Sequence, residues 1–528
     1  MKKVRMSKYI FIVIFIVLLQ SCAVGPDFHE PEVDSPENFR FSNPVQDSIL
    51  NLKWWEMVKD PQLESLIETG LRENKDVLIA ASRIEQARIN VGYTKADYGP
   101  KFDAYGNVNK SNMLLNMPQD TNLEIFNAGL SVNWELDFWG KYRRSTEASK
   151  AELLASLYGR RALQIALISE IATNYFLLLD YRTRLDIAEQ TYEIRKQALE
   201  IIQARFDQGY THIIDVNQAQ IQMGIAEASI PTFKRMVAVT EHNLDVLLGR
   251  NPEPINTDKN LTDYPLPVNI PSGIPSDVLQ RRPDVLQQEQ YYRAQNARVG
   301  IAQAMRFPSI SLTGLLGIGT NDLSNLTRNG LGWSAGANLF APVFEWGKNK
   351  KRVEMEREVA KQSLYQYENT VLNAFREVEN ALVEVKTLKR ELEVNKFILD
   401  AAKNASKLSY ERYYQGVTSY LEVIENQRQE FDANLSYSQN FQELLNSYVK
   451  LYKALGGGWI SEAEIDKYIS QQYDDPSQVK KDTVSYQGQT PDLHLTQEEV
   501  KARKDAEKAR RKLEKEQKKQ AKKAGKRK

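Results

Sequence analysis

The sequence predicts an α+β membrane protein built from two copies of one unit, each a β-hairpin followed by a pair of very long helices. Three observations predict it. A set of landmarks recurs at one fixed offset, the apolar period changes from two to helical within each unit, and each helical stretch opens with more than sixty residues free of proline.

The offset comes first because it sets the architecture. Trp139-Gly140-Lys141 returns as Trp346-Gly347-Lys348, Arg205-x-x-Gln208-Gly209 as Arg412-x-x-Gln415-Gly416, and Leu248-Gly249 as Leu455-Gly456, each 207 residues later. Upstream, Val91-Gly92 matches Val299-Gly300 and Pro100 matches Pro308 at a spacing of 208, one residue of slippage before the strands. Chance seldom preserves an offset across landmarks spread over more than a hundred residues, so the unit of about 200 residues is duplicated.

From the N-terminus, Lys2, Lys3, Arg5 and Lys8 precede an apolar run from Ile10 to Leu19, which reads as an export signal too short to span a bilayer. No later stretch approaches the roughly 20 apolar residues of a spanning helix, which argues against a helical transporter. The run ends at Leu19-Gln20-Ser21-Cys22, which resembles the lipobox of bacterial lipoproteins: an aliphatic residue, a small one before the cysteine, and Gln20 where a small residue is usual. Cys22 is the only cysteine, so an internal disulfide is impossible, and its position marks it for acylation rather than core packing.

The strands follow. In Leu130-Ser-Val-Asn-Trp-Glu-Leu-Asp-Phe138 apolar and polar residues alternate, giving one greasy and one wet face. A soluble sandwich strand would show the same alternation, but here four candidates, at 101–113, 126–138, 309–320 and 331–344, come as two hairpins, each followed by a long helix. Four strands cannot close a transmembrane barrel, and an open edge in lipid leaves backbone groups unpaired at several kcal/mol each. Other copies of the chain must close it. Two copies give eight strands and three give twelve; only the larger ring leaves a conduit, which favours three or more copies without fixing the number.

The helices run from Lys141 to Phe206 and from Lys348 to Tyr414, and each returns after a Gln-Gly turn to Leu248 and Leu455. Leu154, Leu157, Ile165, Ile168 and Ala172 keep helical spacing, and about 65 residues at 1.5 Å each make a rod near 100 Å long. Such rods are marginal alone and must pack laterally, at distances their alanines and serines keep short.

Charge is uneven. Residues 501–528 carry fifteen basic and four acidic side chains, a balance of +11, and the signal carries +4 against a total of +1, so residues 22–500 hold about −14. The basic tail has one leucine to bury and reads as a solvated extension; behind an export signal it is not a nucleic-acid arm.

Three segments carry a family resemblance. Ile270-Pro-Ser-Gly-Ile-Pro-Ser-Asp-Val-Leu-Gln-Arg-Arg-Pro-Asp-Val285 resembles the linker between the two repeats in the NodT branch of TolC-like outer-membrane efflux proteins. Ala23-Val-Gly-Pro-Asp-Phe28 resembles the start of that family after its acylated cysteine, and Lys453-Ala-Leu-Gly-Gly-Gly-Trp459 its end. The similarity covers about residues 20–460. It implies a homotrimer held in outer-membrane lipid, with a twelve-stranded barrel continued by a periplasmic helical barrel. It also implies docking to a periplasmic adaptor bound to an inner-membrane pump of the resistance-nodulation-division type. The chain then divides into a lipoprotein signal (1–21), an N-terminal segment with the first repeat (22–270), the second repeat (271–460), a C-terminal segment (461–500) and the basic tail (501–528).

The expected site residues fall in three groups. In the linker, Arg281, Arg282, Pro283 and Asp284 read as a structural anchor, with guanidinium groups pairing carboxylates or carbonyls of neighbouring helices, and Pro283 disfavours a continuing helix before it. The Gln-Gly turns make two tip loops, Gly209-Tyr210-Thr211 and Gly416-Val417-Thr418, which by resemblance meet the adaptor. The family's periplasmic constriction, a leucine followed four residues later by an aspartate, maps onto Leu421 and Glu425, which share one helical face. Glu422 is a rival acid about 100° away, and the first repeat has Ile214 and Gln218 at the equivalent places.

Nothing points to an enzyme, a metal or a cofactor. His29, His212, His242 and His494 are scattered without ligand spacing, and there is neither a G-x-S-x-G elbow nor a phosphate loop. Nine methionines form no cluster that selects a soft metal. The competing class is a periplasmic coiled-coil scaffold or adaptor, which shares the long helices but has no use for greasy-faced hairpins. The sequence selects no transported substrate.

Overall fold

A computed structural model describes residues 23–36, 38–40, 60–111, 123–257, 259–264, 279, 281–320 and 330–457. The chain divides after Trp459, and every described residue belongs to the first unit. The export signal with Cys22, residues 461–500 and the basic tail lie outside the described residues.

Two short helices open the described fold. Helix α1 (Pro61–Glu73) starts where the Asp60 carboxylate accepts from the Gln62 and Leu63 N–H groups, with Pro61 at the first helical position. Asn74 ends α1 and caps α2 (Lys75–Ala96), accepting from the Asp76 and Val77 N–H groups. Then come β1 (Lys101–Ser111) and β2 (Leu123–Leu136), the rod α3 (Lys141–Asp207) and its return α4 (Ile213–Leu247). The second repeat follows the same plan: α5 (Pro283–Ala304), β3 (Ser309–Thr320), β4 (Gly332–Phe340), the rod α6 (Lys348–Tyr414) and its return α7 (Tyr420–Ala454). Both rods are 67 residues and both returns 35.

Strand bounds differ from the sequence expectation in two cases: β2 runs 123–136 instead of 126–138, and β4 runs 332–340 instead of 331–344, while the last two residues expected in β1, 112–113, lie outside the described residues. Capping chemistry explains the end of β2: Asp137 accepts from the Tyr142 and Arg143 N–H groups at 3.0 Å each, so it belongs to the entry of α3 although it continues the alternating pattern. Past β4, Pro342 cannot donate to a ladder.

The sheet is fully antiparallel in the order β1-β2-β3-β4, so β1 and β4 are its open edges. The helices repeat this order. α3 packs against α2, α4, α5 and α7, and α6 packs against α5 and α7. Alanines make one of these approaches short, with Ala148 and Ala151 of α3 against Ala294 and Ala297 of α5. The main core gathers Leu63, Ile67, Ile168, Tyr175, Leu244 and Leu444 from α1, α3, α4 and α7.

One expectation is corrected. An 18-residue stretch within α3 is apolar enough by composition to cross a membrane. Because 61% of it is buried against the protein, its hydrophobicity serves this core.

Candidate conduit, junctions and tips

The register sorts each strand onto two faces. Phe102, Ala104 and Val108 of β1 lie on the same face as Leu130, Val132 and Trp134 of β2, Leu312 and Leu316 of β3, and Trp333 and Leu339 of β4. The opposite face carries Asp103, Asn107 and Asn109, then Ser131, Asn133 and Glu135, then Ser311 and Thr313, and lastly Ser334 and Asn338. The division is incomplete, since Lys110 and Glu124 pair at 2.6 Å on the apolar face and Tyr105, Ile125, Leu315 and Phe340 lie on the other; a sheet mostly apolar on one side and rich in amides and hydroxyls on the other suits lipid outside and water inside. Its 9–14 residues per strand match the thickness a tilted strand must cross. Aromatic rings cluster where strands meet helices: Trp139 stacks on Phe307 at 4.5 Å and donates to the Pro308 carbonyl at 2.7 Å.

Below the sheet, helix ends are spliced by side chains. Arg282, 6% exposed, donates to the Ala454 carbonyl at the end of α7 (3.2 Å), to Asp284 (2.6 and 3.0 Å) and to Glu377 of α6 (2.7 Å). Burial opposes its charge and these carboxylates outweigh burial, leaving the guanidinium above its ordinary range. Pro283 occupies the first turn of α5 and Arg281 is exposed. In the first repeat Asn74 holds the matching place, its amide donating to the Leu247 carbonyl at the end of α4 at 2.9 Å. The offsets of 208 and 207 connect these two splices, so the linker arginine does in the second repeat what an asparagine does in the first.

A third junction was not legible as a site. Asp60, besides capping α1, accepts from the Tyr175 hydroxyl at 2.8 Å and from the Tyr264 hydroxyl. It is buried, and so are both tyrosines. One carboxylate thus ties α1, the rod α3 and the inter-repeat segment. No local motif marks three residues so far apart in the chain.

At the far end, both rods close with the same turn. Gly209 and Gly416 have φ of 80° and 73°. In the first turn the Gly209 and Tyr210 N–H groups reach back to Phe206 and Arg205; in the second, Gly416 and Val417 reach Tyr413 and Arg412. This is the left-handed helix stop that glycine favours. Tyr210 and Val417 project as exposed side chains. Behind each apex a threonine bonds an acid four residues on, Thr211 with Asp215 and Thr418 with Glu422. Glu422 also pairs Arg412 at 2.9 Å, so the rival acid braces its own turn. This Thr-x-x-x-acid pattern recurs at the 207-residue offset and was a readable signal.

Past the second turn, Tyr420, Val423 and Ile424 are buried against Ile202 and Val216. Leu421, 58% exposed, and Glu425 lie on the outward side, followed by Arg428 and Asp432. The equivalents in α4 are Ile214, Gln218, Ile221 and Ile225, so the matching stripe is charged in one repeat and nearly apolar in the other. Glu425 is not a bare acid. Arg428 donates to it at 2.7 and 3.1 Å and Gln429 at 3.0 Å, and the Arg428 hydrogen bonds pull its carboxyl down to about 2. Arg428 reaches on to Asp432 at 3.1 Å. The spacing of three between Glu425 and Arg428 was available in the sequence.

Comparison with known proteins places this geometry. The chain matches the family model described as outer membrane efflux protein over residues 66–250 and 274–457. It is 31% identical over 458 residues to the probable efflux pump outer membrane protein TtgC of Pseudomonas putida, a match that spans 84% of this chain and 94% of that one. It is 29% identical over 457 residues to the probable outer membrane lipoprotein SilC of Salmonella typhimurium, spanning 84% and 97%. Its fold is similar to that of the outer-membrane channel OprN, with a TM-score of 0.78 and 28% identity over 83% of this chain and all of that one.

Proposed function

The chain belongs to the outer membrane efflux protein family, as the outer-membrane channel of an efflux pump, and from that premise we propose that three copies close a single twelve-stranded barrel, are anchored through acylated Cys22, and dock a periplasmic adaptor at their helix tips. The adaptor is in turn bound to an inner-membrane pump of the resistance-nodulation-division type, and the channel is a passive conduit for what that pump delivers. One observation carries this reading: a four-stranded sheet, mostly apolar on one face and mostly polar on the other, whose edge strands β1 and β4 run antiparallel and so can pair between copies.

The anchor has a physical context. Ala23 packs on Gly140 and the Val24 N–H donates to the Trp139 carbonyl at 3.0 Å, so the residue after Cys22 sits where β2 passes into α3. An acyl chain one peptide unit away starts at the membrane-facing end of the rods. Cys22→Ser is expected to abolish incorporation of labelled fatty acid; a mutant that still takes up label contradicts the assignment.

At the tips, Leu421 from three copies forms an apolar ring that closes by dewetting, with Glu425 one turn on. Since Arg428 holds each Glu425, the acid ring is largely neutralised and discriminates less between ions than three bare carboxylates would. In planar bilayers, Glu425→Ala is expected to raise resting conductance and weaken block by divalent cations, and Glu422→Ala to do less. A folded pKa depressed to about 2 keeps this carboxylate charged throughout the range from about pH 7 to about pH 4. Acidification over that range should therefore leave block unchanged, and Arg428→Ala should make it titrate near the ordinary carboxylate range. Wild-type conductance and block in Glu425→Ala would remove this residue from the gate.

Docking is tested by placing a photo-reactive amino acid at Val417. Ultraviolet light in intact cells should join the channel to the adaptor. Absence of that product, with the same probe active at Val417 in purified protein, would count against tip docking.

A further inference from the structure

We propose that a groove lined by α2, α3 and α5, on the side of the rods that faces the path, is a binding station for amphipathic anions, with Arg83 holding a carboxylate and Tyr93 and Tyr291 flanking a ring-bearing body. The proposal rests on the channel reading above and adds to it a site on the wall of the path and a class of solute that dwells there.

The groove has a volume of about 810 Å³, within the range of small-molecule sites. Its two walls are built from matching positions. A shift of 208 carries Arg83, Ala87 and Asn90 of α2 onto Tyr291, Gln295 and Arg298 of α5, and all six line it. The two repeats are neighbouring sectors of one wall, as the strand order β1-β2-β3-β4 shows. A turn about the channel axis takes one sector onto the next, so matching positions point the same way relative to that axis. A groove between two flanks would use opposite sides of the two helices. One lined by the same side of both faces either the path or the periplasm.

The N-terminal arm decides between these. Asn296 of α5 donates to the Pro26 carbonyl at 3.3 Å, the Tyr292 ring meets the Phe28 ring at 5.6 Å, and Gly300 lies against Gly25. The arm leads back to Cys22, whose acyl chains must enter lipid outside the barrel, so this side of α5 is the outer one. Tyr291, Gln295 and Arg298 lie on average about 130° round the helix from it. The groove therefore faces the path.

The charges in the groove do not balance. Glu152 of α3 is already held by Arg298. Arg83 is exposed and has no acid partner among the described residues. Its planar fork of donors is therefore left for a carboxylate from outside the protein. Tyr93 and Tyr291 stand exposed in the same groove, each with an apolar ring face and a polar tip. The Gln295 side-chain oxygen is buried without a donor, a place that a hydroxyl on the ligand fills. Two cations against one acid, beside two free rings, select a negatively charged aromatic solute over a neutral or cationic one.

The probe is 6-hydroxy-2-naphthoate, with its neutral carboxamide as control. In equilibrium dialysis, purified wild-type oligomer should bind the carboxylate at least about tenfold more tightly than the amide. Arg83→Gln should remove that preference, Arg83→Lys should keep most of it, and Tyr93→Ala should weaken both probes. Added to a planar bilayer from the extracellular side, the carboxylate should interrupt the wild-type current, with interruptions at least about fivefold shorter in Arg83→Gln. Equal binding of the two probes, binding of neither, or binding and block unchanged in Arg83→Gln overturns the station and leaves the channel standing. So does Arg83-dependent binding that never interrupts the current, because it places the groove outside the path. Inserted oligomer that leaves the bilayer at baseline overturns the channel reading itself, whatever the dialysis shows.

Discussion

Asp60→Ala is expected to remove most of the folded channel from the membrane. The carboxylate accepts four hydrogen bonds, two from the first turn of α1 and two from the hydroxyls of Tyr175 and Tyr264, inside a site closed to water. Losing the cap costs about 1 kcal/mol, and leaving a buried hydroxyl without an acceptor costs about 1–3 kcal/mol. The two tyrosines stand 3.4 Å apart and can retain one contact with each other, so a loss of about 2–4 kcal/mol follows for each chain. Asp60→Asn keeps one acceptor oxygen and should lose less. The measurement is the yield and melting temperature of SDS-resistant oligomer. An alanine variant that melts with the wild type would show that this knot does not hold the N-terminal helices.

Gly416→Val is expected to impair efflux while leaving oligomers in the membrane. A Cβ added at Gly416 meets no atom within 4 Å, so there is no clash to propagate. The cost is the backbone itself: φ of 73° is a left-handed conformation that costs an ordinary residue about 1–2 kcal/mol and a β-branched one more. The turn must therefore reshape, and with it the projection of Val417 and the bracing of Glu422 by Thr418 and Arg412. Efflux of a pump substrate should fall several-fold at equal oligomer content. Full efflux from a fully assembled variant would separate the turn from docking.

How much of this was legible follows from the length scale of each signal. The duplication, the rods and the two-faced strands are written in periods that persist over tens of residues, so averaging reveals them. Helices α1, α2 and α5 are shorter, and in the sequence only Pro61, Pro283, Asp60 and Asn74 mark their starts. Arg282 was expected to pair carboxylates or carbonyls of neighbouring helices, and it bonds Asp284, Glu377 and the Ala454 carbonyl. That Asn74 is its counterpart became visible only once both carbonyl partners were in place. The Asp60 knot could not be read, because it joins residues 115 and 204 positions apart. Glu425 was read without Arg428, and the pair changes the electrostatics expected of the ring.

A water-filled path through the outer membrane enclosed by this chain is measured as single-channel current from purified SDS-resistant trimer inserted in a planar bilayer. The geometry predicts discrete, uniform conductance steps that become larger or more frequent in the combined variant Leu421→Ala with Glu425→Ala, whose apolar and acidic rings are both removed. Trimer that is demonstrably inserted, yet leaves the bilayer at baseline in both the wild type and this opened variant, would contradict the claim.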